Sequence, residues 1–206
     1  MPRRDLLLAA VSLACAFVLF AAPAQAQTAD RASLVTAARN YLDRPYSWGG
    51  RGASLDCLGL IFKAWQDVTG TSWKRISVYP TTMVEKQQLG APVPALDGVL
   101  TADIPWDRLE PGDFILFLGA AENHAEPALV TVKGTPLWVW HTALYSGGPD
   151  RRFVVGDHFA GEVVETELPR YLKEEGSGYA GIFVVRPDLP AGNTEALHPS
   201  ARKREP

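Results

Sequence analysis

The sequence predicts an α+β domain in which helices come first and an antiparallel sheet follows. Three observations predict it. Apolar residues recur with helical spacing over residues 30–42 and again from Leu58 to Trp65. From Leu109 onward the pattern changes to short apolar runs separated by turn residues. The two regimes succeed one another and do not alternate, which is the order of an α+β chain.

The chain opens on Met1-Pro-Arg-Arg4, continues with an apolar run from Leu6 to Ala22, and reaches Pro23-Ala-Gln-Ala26. A basic start, an apolar middle and an Ala-x-Ala site have the layout of a secretory signal peptide cleaved after Ala26. The run is at the short limit for a membrane span. Cys15 lies inside it, not at its end as a lipidated cysteine would, and is expected to leave with the peptide. The expected organisation is a signal peptide over 1–26, one domain over 27–188 and a disordered tail over 189–206, rich in Pro, Gly and charge. Export places the protein in the periplasm or outside the cell.

Removal of residues 1–26 takes away Arg3, Arg4 and Asp5, so the 20 basic and 23 acidic residues become 18 and 22. So mild a negative balance gives no footing for nucleic acid or an anionic membrane surface. The remaining length suits a single core, and a monomer is expected. One cysteine, Cys57, is left and has no partner for an internal disulfide. An unpaired thiol kept in an oxidising compartment points to reactivity.

Asp30 to Leu42 reads as a helix capped by Asp30, with Leu34, Val35, Ala38 and Leu42 on one face. Pro45 stops any continuation. A second helix starts at Cys57, with Leu58, Ile61, Phe62 and Trp65 as its apolar stripe, and ends at Gly70. Residues 71–108 carry a short helix signal over Thr81–Leu89 and a Pro-rich stretch, and are expected to form a long excursion between helix and sheet where a substrate-shaping loop could lie. Glu110-Pro-Gly-Asp113 is a turn. Strands are predicted over Phe114–Leu118, Leu137–Tyr145, Phe153–His158, Glu162–Thr166 and Gly181–Val185, with a short helix over Leu168–Glu174.

The chemistry centres on Pro45-Tyr-Ser-Trp-Gly-Gly50 and Asp56-Cys-Leu-Gly-Leu60. Asp56 is a good N-cap, which puts Cys57 in the first helical turn among unpaired backbone N–H groups and at the positive end of the macrodipole. Both favour thiolate, so Cys57 is expected to titrate below the ordinary thiol value of about 8.5. Tyr46 and Trp48 could wall a pocket beside it. A thiol nucleophile needs a base and a group to orient that base. His198 lies in the tail and His124 in a polar loop. His141 sits inside the apolar run Trp138-Val-Trp-His-Thr-Ala-Leu-Tyr145, where it is either a satisfied core histidine or the base.

These segments resemble those of the NlpC-type papain-like cell-wall cysteine peptidases. The Cys57 segment is similar to that family's nucleophile helix, and Leu109–Phe117 to its Pro-Gly-Asp strand. His141-Thr-Ala-Leu-Tyr145 is similar to its base-carrying strand, and Phe153–Val164 to the following hairpin. The blocks run in family order over about residues 32–186. The resemblance implies an N-terminal helix carrying the nucleophile and packed on a central antiparallel sheet. It also implies Cys57 as nucleophile, His141 as base and then acid, and His158 as the orienting group, with the adjacent Asp157 a chemically equal choice. Tyr46 and Asp56 would contact substrate, Asp56 through a free amine. The family's serine after the nucleophile is Leu58 here.

The resulting expectation is a hydrolase that cleaves amide bonds in peptidoglycan stem peptides, without metal or other cofactor. No His-Glu-x-x-His zinc pattern and no Gly-x-Ser-x-Gly elbow occurs. The alternative is a degenerate domain that binds wall peptide or a partner protein, for which Leu58 is the best support.

Overall fold

The computed structural model describes residues 30–174 and 178–189. The expected signal peptide with Cys15 and the expected tail, beyond Leu189 and including His198, lie outside the described residues. The first helix, α1 (Arg31–Arg39), starts at Asp30, whose carboxylate accepts the Ser33 N–H at 2.8 Å. Leu34, Val35, Ala37 and Ala38 are its buried side. The second, α2 (Cys57–Thr69), ends where Gly70 turns left-handed at φ +69° and donates its N–H to the Gln66 carbonyl. Besides the predicted stripe, α2 buries Leu60 and Ala64, so most of its circumference is covered. Two short helices follow, α3 (Pro80–Glu85) and α4 (Leu168–Glu174).

The strands are β1 (Ala91–Leu100), β2 (Phe114–Gly119), β3 (Val130–Val132), β4 (Thr135–Gly147), β5 (Arg152–Asp157), β6 (Glu162–Glu167) and β7 (Gly181–Arg186). The sheet runs β1-β7-β2-β4-β5-β6 with every pairing antiparallel, and β3 adds to β4. The strand latest in the chain, β7, therefore sits between β1 and β2. Alternation along the strands separates two cores. On one face Leu116, Leu118, Leu144 and Val154 meet α1 and α2. On the other, Phe117, Ala143, Phe153 and Ile182 pack with Leu168 and Tyr171 of α4. The α+β class and the order of helices before sheet are as the sequence predicts.

The stretch expected as a loop over 71–108 differs. It contains β1, an edge strand ten residues long that carries Pro92 and Pro94. An edge strand tolerates proline because one row of its N–H groups needs no partner. The pairing with β7 slips between Pro92 and Asp97 and again before Val99, so no clean period-two pattern survives for a sequence reading to find. The Pro-Gly-Asp turn serves as a clamp. Asp113 is fully buried and accepts two bonds of 2.9 Å from the Arg186 guanidinium, while Arg186 Nη1 reaches Glu110 at 2.8 Å. The clamp ties the start of β2 to the end of β7.

Candidate active site

The approach to Cys57 is fastened to the sheet before the helix begins. Asp43 N–H donates to the Val163 carbonyl, Val163 N–H to the Arg44 carbonyl, and Tyr46 N–H to the Gly161 carbonyl at 2.7 Å. Residues 43–46 thus run along β6, and the chain then turns through Gly49 at φ +73°. Asp56 closes this loop onto α2. Its Oδ1 accepts the Gly59 N–H at 2.6 Å and pairs with Arg51, and its Oδ2 accepts the Gly49 N–H at 2.9 Å. Asp56 is buried, with both oxygens occupied. The expectation that it binds a substrate amine is therefore corrected: its charge is already paired with Arg51.

Two glycines make the close approach possible. A Cβ on Gly59 would lie 2.1 Å from the Gly50 carbonyl oxygen, and a Cβ on Gly156 would lie 2.9 Å from the Asp56 carbonyl. Gly156 thus lets β5 come up against the start of α2. Cys57 is half-buried there. The Thr142 hydroxyl and N–H and the Leu58 N–H all favour its thiolate, yet burial, with the Asp56 charge behind it, pushes the thiol up. The expected low titration does not hold for the free protein. The helix start favours the anion, but removal from water outweighs it.

His141 is buried in β4 and its Nε2 has no hydrogen-bond partner. Its ring lies 5.8 Å from Phe117 and 6.3 Å, nearly parallel, from Tyr179. This orientation comes from a bulge. Phe117 faces His141, but Leu118 faces Val139, so Trp140 is the extra residue. Val139 consequently packs on the helix side, and His141 on the side of Phe117. Burial lowers the His141 pKa to about 4, against the opposing charges of Asp157 and Asp56. At neutral pH the imidazole is uncharged and able to accept a proton.

The pair Asp157 and His158 is divided by the end of β5, which stops at Asp157 and leaves His158 in the following turn. Asp157 is buried and its charge acts on His141, Tyr46 and Tyr179. His158 is exposed, with its ring centroid 3.8 Å from that of Phe159 and 6.2 Å from that of Tyr46. The preference for His158 as the group set against His141 does not match this placement; of the two, Asp157 is the one that is buried and whose charge acts on His141. His124 is exposed, in keeping with a polar loop.

A cavity of about 550 Å³ opens beside His141, and Tyr46, Trp48, Trp140, His158, Phe159 and Tyr179 form most of its wall. Tyr46 and Trp48, expected to wall a pocket beside the sulfur, line this cavity. Cys57 is not on this wall, but its charge reaches both Tyr46 and Tyr179 when it ionises. Burial raises both phenols to about 12, so they remain neutral hydroxyls. Thr142, Gly156, Trp140, Phe159 and Tyr179 were not identified by the sequence reading. Only Thr142 and Gly156 left a trace, as small residues beside His141 and Asp157. Among the described residues no group of three or more His, Cys, Asp or Glu is placed to hold a metal.

A thiol at a helix start, a neutral buried imidazole and a buried carboxylate are the residue types that acyl transfer by a thiol requires. Residues 43–130 match the model of the NlpC/P60 family. That stretch, which holds Cys57, is of NlpC/P60 type. An N-acetylmuramoyl-L-alanine amidase from Bacteroides uniformis shares the fold with a TM-score of 0.59 at 13% identity, over 77% of this chain and 98% of its own. The NlpC/P60 domain of the peptidoglycan hydrolase SagA aligns at 19% identity over 76% of this chain and 98% of its own, with a TM-score of 0.44. An NlpC/P60 family protein from Bacillus cereus aligns at 23% identity over 79% and 41%, with a TM-score of 0.47. No curated protein matches the chain. Among the described residues, no helix is long and apolar enough to cross a membrane.

Two outcomes follow from the electrostatics. The rate of Cys57 alkylation by iodoacetamide, followed against pH, is expected to inflect above the ordinary thiol range, and Thr142→Val to move the inflection further up. The unfolded chain protonates histidine near pH 6.5, the folded one only near 4 at His141. Stability is therefore complete above 6.5 and falls between 6.5 and 4, by about 3 kcal/mol in total. Urea unfolding at pH 7 and 4.5 should show this loss, and His141→Gln should remove most of it.

Proposed function

We propose that the protein is an exported cysteine hydrolase that cleaves an amide bond in the peptide stem of peptidoglycan, in the periplasm or outside the cell. The observation that carries this reading is the buried, unpartnered Nε2 of His141. His141 lines the cavity, and residues 43–130, which include Cys57, match the NlpC/P60 family model. A structural histidine in a core would have its polar atoms satisfied. An orphan nitrogen on a cavity wall is suited to a proton that arrives with the reaction.

In this mechanism Cys57 Sγ attacks the stem carbonyl as its proton moves to His141 Nε2. The pair starts neutral and becomes charged during attack. The Cys57 N–H at the helix start is the donor for the oxyanion. Asp157 holds the imidazole and stabilises the imidazolium. His141 then gives its proton to the departing amine, the C–N bond breaks, and a thioester remains on Cys57. Water, deprotonated by His141, releases the acid and restores the thiol. The Asp56–Arg51 pair keeps the helix start in place and takes no part in the proton movements.

The reading as a binding module draws on Leu58 and the raised thiol. Digestion of purified wall material, with the fragments identified by mass, separates the two. Cys57→Ala should abolish release of fragments, and His141→Ala should lower kcat by about a thousandfold. The double variant should lose little more than either alone. Asp157→Asn should cost about ten- to a hundredfold, and His158→Ala the smaller loss of the two. Binding of wall peptide without any fragments from the parent protein would favour the binding module.

A further inference from the structure

Exposed aromatic surface is gathered at one place on the molecule. Five large hydrophobic side chains are exposed among the described residues, and three of them, Trp48, Trp140 and Phe159, line the cavity beside His141. Exposed apolar side chains scattered singly are ordinary, but a cluster of them on a concave wall marks a ligand site. Two of the three are held in place. Trp140 is the extra residue of the β4 bulge, and its indole N–H donates to the Ala121 carbonyl at 2.9 Å. A Cβ on Gly119 would lie 2.8 Å from Trp140 Cδ1, so glycine there lets the indole rest against β2. Phe159 is anchored through its N–H, which donates to Asp157 Oδ1 at 2.8 Å, while its ring stays 66% exposed. Rings fixed before a ligand arrives cost little to order on binding.

The polar part of the wall is neutral. The described lining contains no Asp, Glu, Lys or Arg. Tyr46 and Tyr179 stay protonated, raised to about 12 by burial, and are hydroxyls able to donate and accept. Flat ring faces with neutral hydroxyls beside them complement a sugar ring, which has apolar C–H faces and a rim of hydroxyls. The Asp56 carboxylate points the same way, since its charge is paired with Arg51 within the fold. A free stem peptide brings an ammonium group on its first residue, which needs such a partner. In a stem still attached to glycan, that nitrogen is acylated by the carboxyl group of the sugar, and neither carries a charge. An ammonium group is also drawn to ring faces, the more so with the Asp157 charge acting on Tyr46 and Tyr179. It would cover one or two rings, whereas a cavity of about 550 Å³ has room for a whole N-acetylated sugar.

We infer that this cavity is a saccharide subsite, and that the protein takes stem peptides still attached to an N-acetylated amino sugar of the glycan in preference to free stems. The inference rests on the reading of peptidoglycan as the substrate, but sugar binding is measured without turnover. The sugar ring lies against the exposed rings of Trp48, Trp140 and Phe159, with its hydroxyl and acetamido groups toward Tyr46 and Tyr179. Covering the rings supplies the affinity, and the phenols supply the orientation.

The test uses the full chain carrying Cys57→Ala, so that no ligand is consumed, and calorimetry on three ligands of one stem sequence: the muramoyl-linked stem, the N-acetylated stem and the free stem. The acetylated stem removes the ammonium group without adding the sugar. The muramoyl-linked stem is expected to bind at least about tenfold more tightly than the acetylated one. Adding Trp48→Ala or Phe159→Ala should reduce that ratio to about threefold or less, while Trp48→Phe keeps most of it. Trp48 is 82% exposed, so Trp48→Ala should leave the urea unfolding midpoint unchanged and its effect is one of binding. Equal affinity for the linked and acetylated stems, no binding of either, or a ratio that survives both alanine variants would overturn the inference. Tightest binding of the free stem, weakened by Trp48→Ala, would overturn it in favour of a cation subsite. Release of fragments from wall material by the parent protein decides the hydrolase reading separately. A sugar-dependent ratio without any fragments would sustain the inference and remove the hydrolase, and fragments without the ratio would do the reverse.

Discussion

Asp56 holds the start of α2, and the geometry of the site depends on that single carboxylate. One oxygen caps the helix through Gly59 and pairs with Arg51, and the other gathers the Gly49 end of the approaching loop. A carboxylate at an N-cap is favoured by the orphan N–H groups and the macrodipole together. Here it also neutralises a guanidinium whose carbon lies 5.3 Å over the Phe62 ring. Loop, helix start and core are thereby joined at one point. Gly59 and Gly156 supply the clearance for the Gly50 carbonyl and for β5. Three of its acceptor sites are thereby taken, and its charge is paired within the fold.

With the helix start fixed, solvation sets the resting state of the two groups proposed to react, Cys57 and His141. Cys57 has donors around it, Thr142 and the Leu58 N–H, but burial prevails and the thiol stays protonated. His141 is subject to the same force with the opposite sign: burial keeps it neutral despite two nearby carboxylates. The site thus resembles a serine hydrolase at rest more than a preformed thiolate–imidazolium pair. Thr142 places a buried hydroxyl near the sulfur, while the residue after the nucleophile, Leu58, is apolar.

The helices and most strands were legible because their signals are local. Asp30 and Asp56 cap where capping residues are expected, Gly70 ends α2, and Phe114–Leu118 is a short apolar run flanked by turn chemistry. Strand β1 was not legible, since its prolines and register slips erase the period of two that a strand reading requires. Cys57 and His141 could be picked out by residue type and place in the chain. The surroundings that control them could not. The bulge at Trp140 decides which face His141 occupies, and alternation cannot be followed across an extra residue. The division between Asp157 and His158 hangs on where β5 ends, the least certain feature of any sequence reading. Asp56 was recognised as a cap, yet its second role was assigned from resemblance, and only the position of Arg51 shows that role to be closed. Tyr179 and Phe159 come from separate elements and meet only in the folded chain.

The central claim is that a thiol which is neutral at rest becomes the nucleophile when substrate arrives. The direct measurement is intact-protein mass spectrometry of acid-quenched turnover on wall stem peptides, followed by mapping of any adduct. The account predicts an added mass equal to the acyl fragment, located on Cys57 and sensitive to hydroxylamine, as a thioester is. Turnover that proceeds unchanged in Cys57→Ala, or an acyl adduct on another residue, would contradict it.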